Sequence, residues 1–417
     1  MLRINSHFIL YFLVIILVLY LILLAVIRLK MQFWRTQPVF HFYNLKYWWK
    51  PPGFINSEPP AVNKYVNLVN NKLLNLSTEE TKDEKIKQIC QFIQDYYVMH
   101  PTASYKPSQT DIMAYLQSTN QPSFFNIYQQ QTYLLENGNP APSGAPEEEI
   151  LGVTSARVLN VTLYPRNKKK DKRKKKTIAF PVYYVDNLCV KPAYRKKGIP
   201  PQMIQTFYYN VSRTNPKVPA YMFKREGKLT AIVPLVHYET HSFDITHFQT
   251  EYILNPAMTL LEIKEQQLNL LISFIQEQKT NFDCVILPDV SSLLNLIKLE
   301  KLVVYGILLG NELLAAYVFR PLELYYEGKK TIECIAIISN CKTSEVLVAG
   351  FNMSLLKCKN KCHADILLIE CTAHSSIVIK ALCSNPTVLK KFTSPTAFFL
   401  YNYACNTIKK EKTLLIY

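Results

Sequence analysis

Val185-Asp186-Asn187-Leu188-Cys189-Val190-Lys191-Pro192-Ala193-Tyr194-Arg195-Lys196-Lys197-Gly198-Ile199-Pro200 is the stretch on which the reading of this chain turns. An apolar, β-prone run from Ile178 to Val190 feeds a short basic turn. The turn feeds Gln202 to Phe207, whose apolar residues recur at helical spacing. A strand, a basic turn containing glycine and a helix N-terminus, in that order, suit an anion. The first N–H groups of a helix lack partners within it, and the helix dipole favours negative charge there. Arg195, Lys196 and Lys197 add formal charge. An ordinary solvated basic turn has the same composition, so the motif alone leaves both readings open.

Composition narrows the class. The chain has 417 residues, enough for a large core or two domains. Hydrophobic residues make up 49% and aromatics 12%, which excludes a disordered chain. The net charge is +17. Residues 168 to 176 hold eight bases and one acid, and the rest of the excess is spread widely. Such a balance favours anionic partners: phosphates, a membrane surface or nucleic acid. Ten cysteines in no regular framework read as reduced thiols facing the cytosol. Cys358, Cys362 and His363 have metal-like spacing, but no second pair accompanies them, and no metal is expected.

Phe8 to Ile27 is an unbroken run of 20 apolar residues, long enough for one membrane-spanning helix. Arg28 and Lys30 follow it in place of a small-residue cleavage site, which argues against a secretory signal. Arg3 precedes the span, whereas Arg28, Lys30, Arg35, Lys46 and Lys50 follow it. The positive-inside rule then puts the N-terminus in the lumen and the large C-terminal part in the cytosol. Phe33, Trp34, Trp48 and Trp49 read as a juxtamembrane aromatic belt.

Beyond the belt, Asn63 to Leu76 and Lys82 to Met99 are expected to be helices, with a start signal at Thr78 and Thr81, and Asp111 to Gln117 a short one. Pro140 to Glu149 reads as an exposed loop. Ile150 to Tyr164 and Thr177 to Val190 are expected to form a hairpin with the lysine run Lys168 to Lys176 at its tip. That run is a solvated loop or a contact with anionic lipid. Nucleic-acid binding is not expected, because no aromatics are interleaved with the lysines.

The second half alternates in the same way. Tyr221 to His237 and His241 to Phe248 look extended, and Leu260 to Gln276 helical. Cys284 to Leu287, Leu302 to Leu309, Leu313 to Phe319, Ile332 to Ile338, Ile366 to Cys371 and Ala397 to Tyr403 read as strands. Ser291 to Leu299, Ser344 to Leu356 and Ile377 to Leu382 read as helices. The repeated strand–helix–strand order predicts an α/β fold of two related halves around one long mixed sheet.

Four stretches carry a resemblance. Arg195-x-x-Gly198-x-(small) resembles the acyl-CoA pyrophosphate loop of the GCN5-related acetyltransferase fold. Phe33-Trp34-Arg35-Thr36-Gln37-Pro38-Val39 resembles the Phe-Trp-x-Thr-Gln-Pro-Val motif of N-myristoyltransferases. Asn187-Leu188-Cys189-Val190 and the basic turn after it resemble that family's Asn-Phe-Leu-Cys-Val strand and turn. Phe399-Leu400-Tyr401-Asn402-Tyr403 resembles its Tyr-Leu-Tyr-Asn-Trp strand. Order and spacing hold over roughly residues 31 to 417.

The resemblance implies a duplicated acetyltransferase fold. Residues 1–30 would be a transmembrane anchor, 31–220 the acyl-CoA-binding half and 221–417 the half that forms much of the peptide groove. Acyl-CoA, most fittingly myristoyl-CoA, would be the cosubstrate, and an N-terminal glycine amine of a peptide or protein the acceptor. Phe33, Trp34, Leu188, Cys189 and Val190 would pack against CoA, with Arg195, Lys196, Lys197, Gly198, Ile199 and Pro200 at its phosphates. The backbone N–H groups of Asn187 and Leu188 would form the oxyanion hole, which needs no particular side chain. The terminal carboxylate on Tyr417 would accept the amine proton; desolvation there would raise its pKa and make it a better base. A simple hydrophobic docking tail is the other reading of Leu414 to Tyr417.

Some positions depart from the family. Tyr221-Met222-Phe223-Lys224 replaces Tyr-Thr-Ala-Gly, which removes a hydroxyl, and Asp186 stands where the family has Asn. Residues 98 to 105 carry no carboxylate where the family has an acidic loop, and His237-Tyr238-Glu239-Thr240-His241 reduces a Tyr-His-Arg motif. Three functions follow as expectations: a membrane-anchored acyltransferase of this kind, a non-enzymatic scaffold or binder of acylated N-termini, and a membrane-bound N-acetyltransferase.

Overall fold

The computed structural model describes residues 6–30, 32–44, 47, 49, 52–77, 83–132, 135–136, 139–140, 147–164, 177–228, 230–250 and 254–417. Its framework starts from the expected hairpin. Glu147–Leu163 and Ile178–Val190 pair antiparallel from Gly152↔Val190 to Leu163↔Ile178. Residues 151 to 159 are all buried, so this strand is covered on both faces, as its near-continuous apolar run requires. The lysine run at the tip lies outside the described residues. Helix Ile199–Thr214 then returns the chain to strand Ala220–Glu226, which runs parallel to Ile178–Val190.

The same unit recurs. Glu312–Tyr326 and Lys329–Ser339 form a hairpin, helix Ser344–Cys362 crosses over, and strand Ile366–Glu370 runs parallel to Lys329–Ser339. Glu327 and Gly328 turn this hairpin at φ 51° and 79°. Positive φ at both central positions matches the right-handed strand twist. Strands Val236–Asp244 and Leu389–Tyr401 lie side by side between the two units. Among the described residues the result is one mixed sheet of 15 strands, flanked by helices, as expected.

The last residues complete the sheet. Thr413–Leu415 runs parallel to Cys284–Leu287, which pairs with Glu147–Leu163. Ile416 N–H then donates to the Ile286 carbonyl at 2.9 Å. Residues 414 to 417 are almost completely buried.

The structure corrects four local expectations. Within Asn63 to Leu76, residues Asn71–Asn75 form a strand against Phe124–Thr132. Before it, the Asn63 and Asn67 side chains accept the Tyr65 and Asn70 N–H groups at 2.9 and 3.0 Å. Such local bonds compete with helix. The start signal at Thr78 and Thr81 lies outside the described residues. Leu260 to Gln276 divides into strand Met258–Ile263 and helix Leu268–Gln278, because Leu260, Leu261 and Ile263 pair with Val303–Leu309. The extended run from Tyr221 stops at Glu226, followed by Gly227 at φ 75°. His237 to His241 belong to one strand, Val236–Asp244. Of the loop expected over Pro140 to Glu149, residues 141–146 lie outside the described residues, and a strand begins at Glu147.

At the N-terminus, Ser6–Lys30 is a single helix, and its segment Ile9–Val26 is long and apolar enough to cross a membrane and is not covered by the protein.

Candidate functional site

The decisive strand carries a bulge. Its register pairs Ser155 with Asp186 and Val153 with Cys189, so Asn187 and Leu188 both face the single residue Thr154. Asn187 takes φ 54°, and its side chain donates to Ser155 Oγ at 2.8 Å. Thr154 Oγ1 donates to the Asp186 carbonyl at 2.9 Å. A bulge takes backbone groups of its extra residue out of the ladder. One of them is engaged: Asn187 N–H donates to Asp186 Oδ1 at 2.8 Å, and the Tyr97 hydroxyl donates to the same oxygen at 2.8 Å. Leu188 is 38% exposed, whereas Cys189 and Val190 turn into the core.

The basic turn follows. Pro192–Tyr194 forms a short 3-10 turn, and Gly198 at φ 79° caps helix Ile199–Thr214. That conformation suits glycine, and a Cβ there would meet nothing within 4 Å. Lys196 and Lys197 are exposed, and Lys197 Nζ sits 4.6 Å from the Tyr194 ring. Two details reduce the expected anion cradle. Pro200 and Pro201 occupy the first turn of the helix and have no N–H to offer. Arg195 Nε donates to the Val190 carbonyl at 3.1 Å, and its Nη2 to Met99 Sδ at 3.0 Å. Its guanidinium braces the turn.

Phe33 and Trp34 lie beside this helix. Phe33 is 9% exposed and meets the Tyr65 ring edge-on at 5.0 Å. Trp34 stacks on Phe223 at 5.9 Å and packs against the core cluster that includes Phe207 and Val211 of the helix.

On the other side of the bulge opens a cavity of about 570 Å³. Its lining includes Tyr97, Asp186, Asn187, Arg157, Tyr184, Lys224, Arg320 and Glu333. Lys224 Nζ lies 2.8 Å from Glu370 Oε1, 2.7 Å from Glu226 Oε1 and 3.4 Å from Glu333 Oε1. Arg320 Nε donates to Glu333 Oε2 at 3.0 Å. Burial alone would lower the Lys224 pKa, but the Glu370 carboxylate, the Tyr417 phenol and Glu333 outweigh it and hold the ammonium charged. Burial pushes Glu333 up, yet Arg320 and Lys224 outweigh it and bring its carboxyl down to about 2. Tyr417 is 1% exposed, and its hydroxyl donates to Glu370 Oε1 at 2.6 Å. Its ring lies beneath the Arg320 guanidinium at 4.6 Å.

The expected residues thus fall into three places: the bulge, the basic turn with the aromatic pair near its helix, and the buried floor under Tyr417. Cys358 and Cys362 place their sulfurs 3.9 Å apart on a helix far along the chain, and among the described residues no three His, Cys, Asp or Glu side chains gather as metal ligands. Sequence reasoning missed Arg157, Glu333, Glu370 and Arg320. The available signal was a single charge inside an otherwise apolar strand run, as in Ile332 to Ile338 around Glu333.

No family model matches the chain. No curated protein sequence matches it. Solved structures do. One structure of Saccharomyces cerevisiae N-myristoyltransferase with bound myristoyl-CoA is 12% identical, with a TM-score of 0.63 over 91% of this chain and 94% of that chain. A second, also with bound myristoyl-CoA, is 12% identical, with a TM-score of 0.64 over 91% of this chain and 89% of that one. The fold is therefore the N-myristoyltransferase fold, carried by a very divergent sequence.

Proposed function

We propose that this protein transfers a long acyl chain, myristoyl by preference, from acyl-CoA to an N-terminal glycine amine of a peptide or protein. The observation that carries this reading is the bulge at Asn187 and Leu188, set between a basic turn and a charged cavity. Phe33, Trp34 and Leu188 would pack against CoA, with only the main chain of Cys189 and Val190 beside it, since their side chains turn into the core. Arg195, Lys196, Lys197, Gly198, Ile199 and Pro200 would lie at its phosphates, with the charge carried mainly by the two exposed lysines.

The thioester carbonyl would accept the Asn187 and Leu188 N–H groups. The acceptor ammonium gives up one proton to solvent, and the amine nitrogen attacks the carbonyl carbon. A C–N bond forms, the C–S bond breaks with CoA leaving as the thiolate, and the proton left on the nitrogen would pass to the carboxylate expected at residue 417. For Asn187 N–H to serve, Asp186 must swing away from it. An incoming ammonium gives that carboxylate a better partner, so acceptor arrival would open the hole. Phe8 to Ile27 would hold the enzyme in a membrane with its N-terminus lumenal and its body in the cytosol, divided near residue 220 into an acyl-CoA half and a peptide half. The run Lys168 to Lys176 would contact anionic lipid.

A second reading is a non-enzymatic binder on the same fold. The engaged Asn187 N–H and the braced Arg195 favour it. Calorimetry of myristoyl-CoA and acetyl-CoA with the full chain in detergent separates these readings. Acyl transfer predicts myristoyl-CoA binding that is lost in a variant combining Arg195→Ala, Lys196→Ala and Lys197→Ala. Tight acetyl-CoA binding with no gain from the long chain would favour an acetyltransferase. Binding of neither leaves the scaffold.

A further inference from the structure

We infer that Arg157 is the binding group for a carboxylate on the acceptor, so that the cavity selects peptides with an acidic side chain close to the reacting glycine. The inference rests on the acyl-transfer reading of the cavity and names its substrate class.

The argument starts from an unpaired charge. Arg157 sits on strand Glu147–Leu163, is 8% exposed and lines the cavity. Its guanidinium lies between two rings, 4.7 Å from the Tyr115 centroid and 5.0 Å from that of Tyr184. The rings pack against the flat group and hold it in place. Among the described residues, buried Nη2 has no hydrogen-bond partner. A guanidinium carries five donors, and burying one without an acceptor is costly.

The other charges of the cavity are spoken for. Lys301 pairs with Asp111, Arg320 with Glu333, and Lys224 with Glu370 and Glu226. Glu323 pairs with Lys330. Asp186 faces Arg157 from the next strand, but its Oδ1 accepts Tyr97 and Asn187, and no ion pair joins it to Arg157 among the described residues. An anion entering the cavity therefore meets one cation that needs it and carboxylates that are already satisfied. A carboxylate matches the guanidinium fork, and the pair would be charge-assisted.

Position sets the register. Ser155 pairs with Asp186 beside the bulge, and Arg157 pairs with Tyr184 two residues along. Two residues of strand span roughly 7 Å. An extended acceptor with its amine at the bulge would therefore bring a side chain about two to four residues downstream within reach of the guanidinium, given about 3.3 Å per residue and the length of both side chains. The residues 98 to 105, which lack any carboxylate, fit the same preference: nothing in that segment attracts a basic peptide.

The test is peptide binding by fluorescence anisotropy, with the full chain in detergent, with and without myristoyl-CoA. Probes are glycine-starting octapeptides with Asp or Glu at one of positions 3 to 5, their Asn or Gln twins, and Lys versions. We expect the acidic peptide to bind at least about tenfold tighter than its amide twin, as a charge-assisted bond to a buried partner implies. Arg157→Met should erase that difference, and Arg157→Lys should keep part of it. Arg157→Met should melt no lower than the parent, since it removes a buried guanidinium that lacks an acceptor and keeps an apolar chain against the two rings; if it does melt lower, Arg157→Lys carries the comparison.

Equal binding of acid and amide, a preference for Lys, a preference that survives Arg157→Met, or no peptide binding would each overturn the inference. Acylation of neutral and basic peptides is followed in parallel. Their acylation without an acidic preference sinks the Arg157 assignment alone. Absence of acyl-CoA binding sinks acyl transfer, and the peptide arm without CoA still decides Arg157.

Discussion

The Asp186 carboxylate accepts the backbone N–H of its own neighbour, Asn187, at 2.8 Å. The same N–H is the proposed donor to a developing oxyanion, so in the free protein a carboxylate holds that place. Its charge also lies where an attacking amine would stand. An anionic neighbour raises the pKa of an amine and keeps it protonated to higher pH. Asp186→Asn removes the charge and keeps the size. The acidic limb of the kcat–pH profile, which reports groups in the substrate complex, should move about one unit or more towards lower pH. An unmoved limb would place the amine away from Asp186.

The Lys224–Glu370 pair makes a stability prediction. Lys224 Nζ lies 2.8 Å from a carboxylate that is completely buried, with Glu333 close by. Lys224→Met leaves Glu370 without its cation, while Glu333 keeps Arg320. Removing one partner of a buried pair costs about 3–5 kcal/mol. The urea midpoint should fall by that equivalent, and adding Glu370→Gln to Lys224→Met should recover part of the loss. A Lys224→Met protein as stable as its parent would mean the pair is solvated.

His41 provides a pH test away from the cavity. It is 2% exposed and stacks on Tyr43 at 4.8 Å, and burial lowers its pKa from 6.5 to about 4. The unfolded chain therefore takes up this proton before the folded protein does. The stability this site contributes is complete above pH 6.5 and is lost as pH falls towards 4. His41→Phe removes the titration while keeping a ring on Tyr43. The melting-temperature difference between parent and variant should be constant above pH 7 and should shift in favour of the variant between pH 6.5 and 4. His241 and His374, also lowered by burial, are present in both proteins and cancel in the difference.

Regular, local patterns in the sequence carried most of the fold. The hairpin around Val185, the helix after Gly198 and the strand–helix–strand of Ile332 to Cys371 were all legible because burial on both faces forces apolar runs. Asn71–Asn75 was not, since its short strand is held by pairing with residues some 50 positions away and its asparagines resemble a helix surface. The basic turn and the bulge strand could be read from their motif. The buried charges could not be assembled, because Lys224, Arg320, Glu333, Glu370 and Tyr417 come from five separate strands or tails, and only the sheet order brings them together.

The proton-accepting role expected of residue 417 is separable from the structural role of its side chain. The Tyr417 phenol holds Glu370 at 2.6 Å and underlies Arg320. Tyr417→Phe leaves that buried carboxylate short of one donor, which costs about 1–3 kcal/mol, and it keeps the main-chain carboxylate. Appending Gly-Ser after Tyr417 does the reverse: the phenol stays, and the carboxylate becomes an amide that cannot take a proton. If that carboxylate is the base, Tyr417→Phe should lower the melting temperature and retain turnover. The extended chain should bind myristoyl-CoA and lose turnover by about a hundredfold or more, the size of a general-base contribution. Turnover that survives the extension takes the base role away from residue 417 and leaves Asp186 as the carboxylate beside the bulge to test for it.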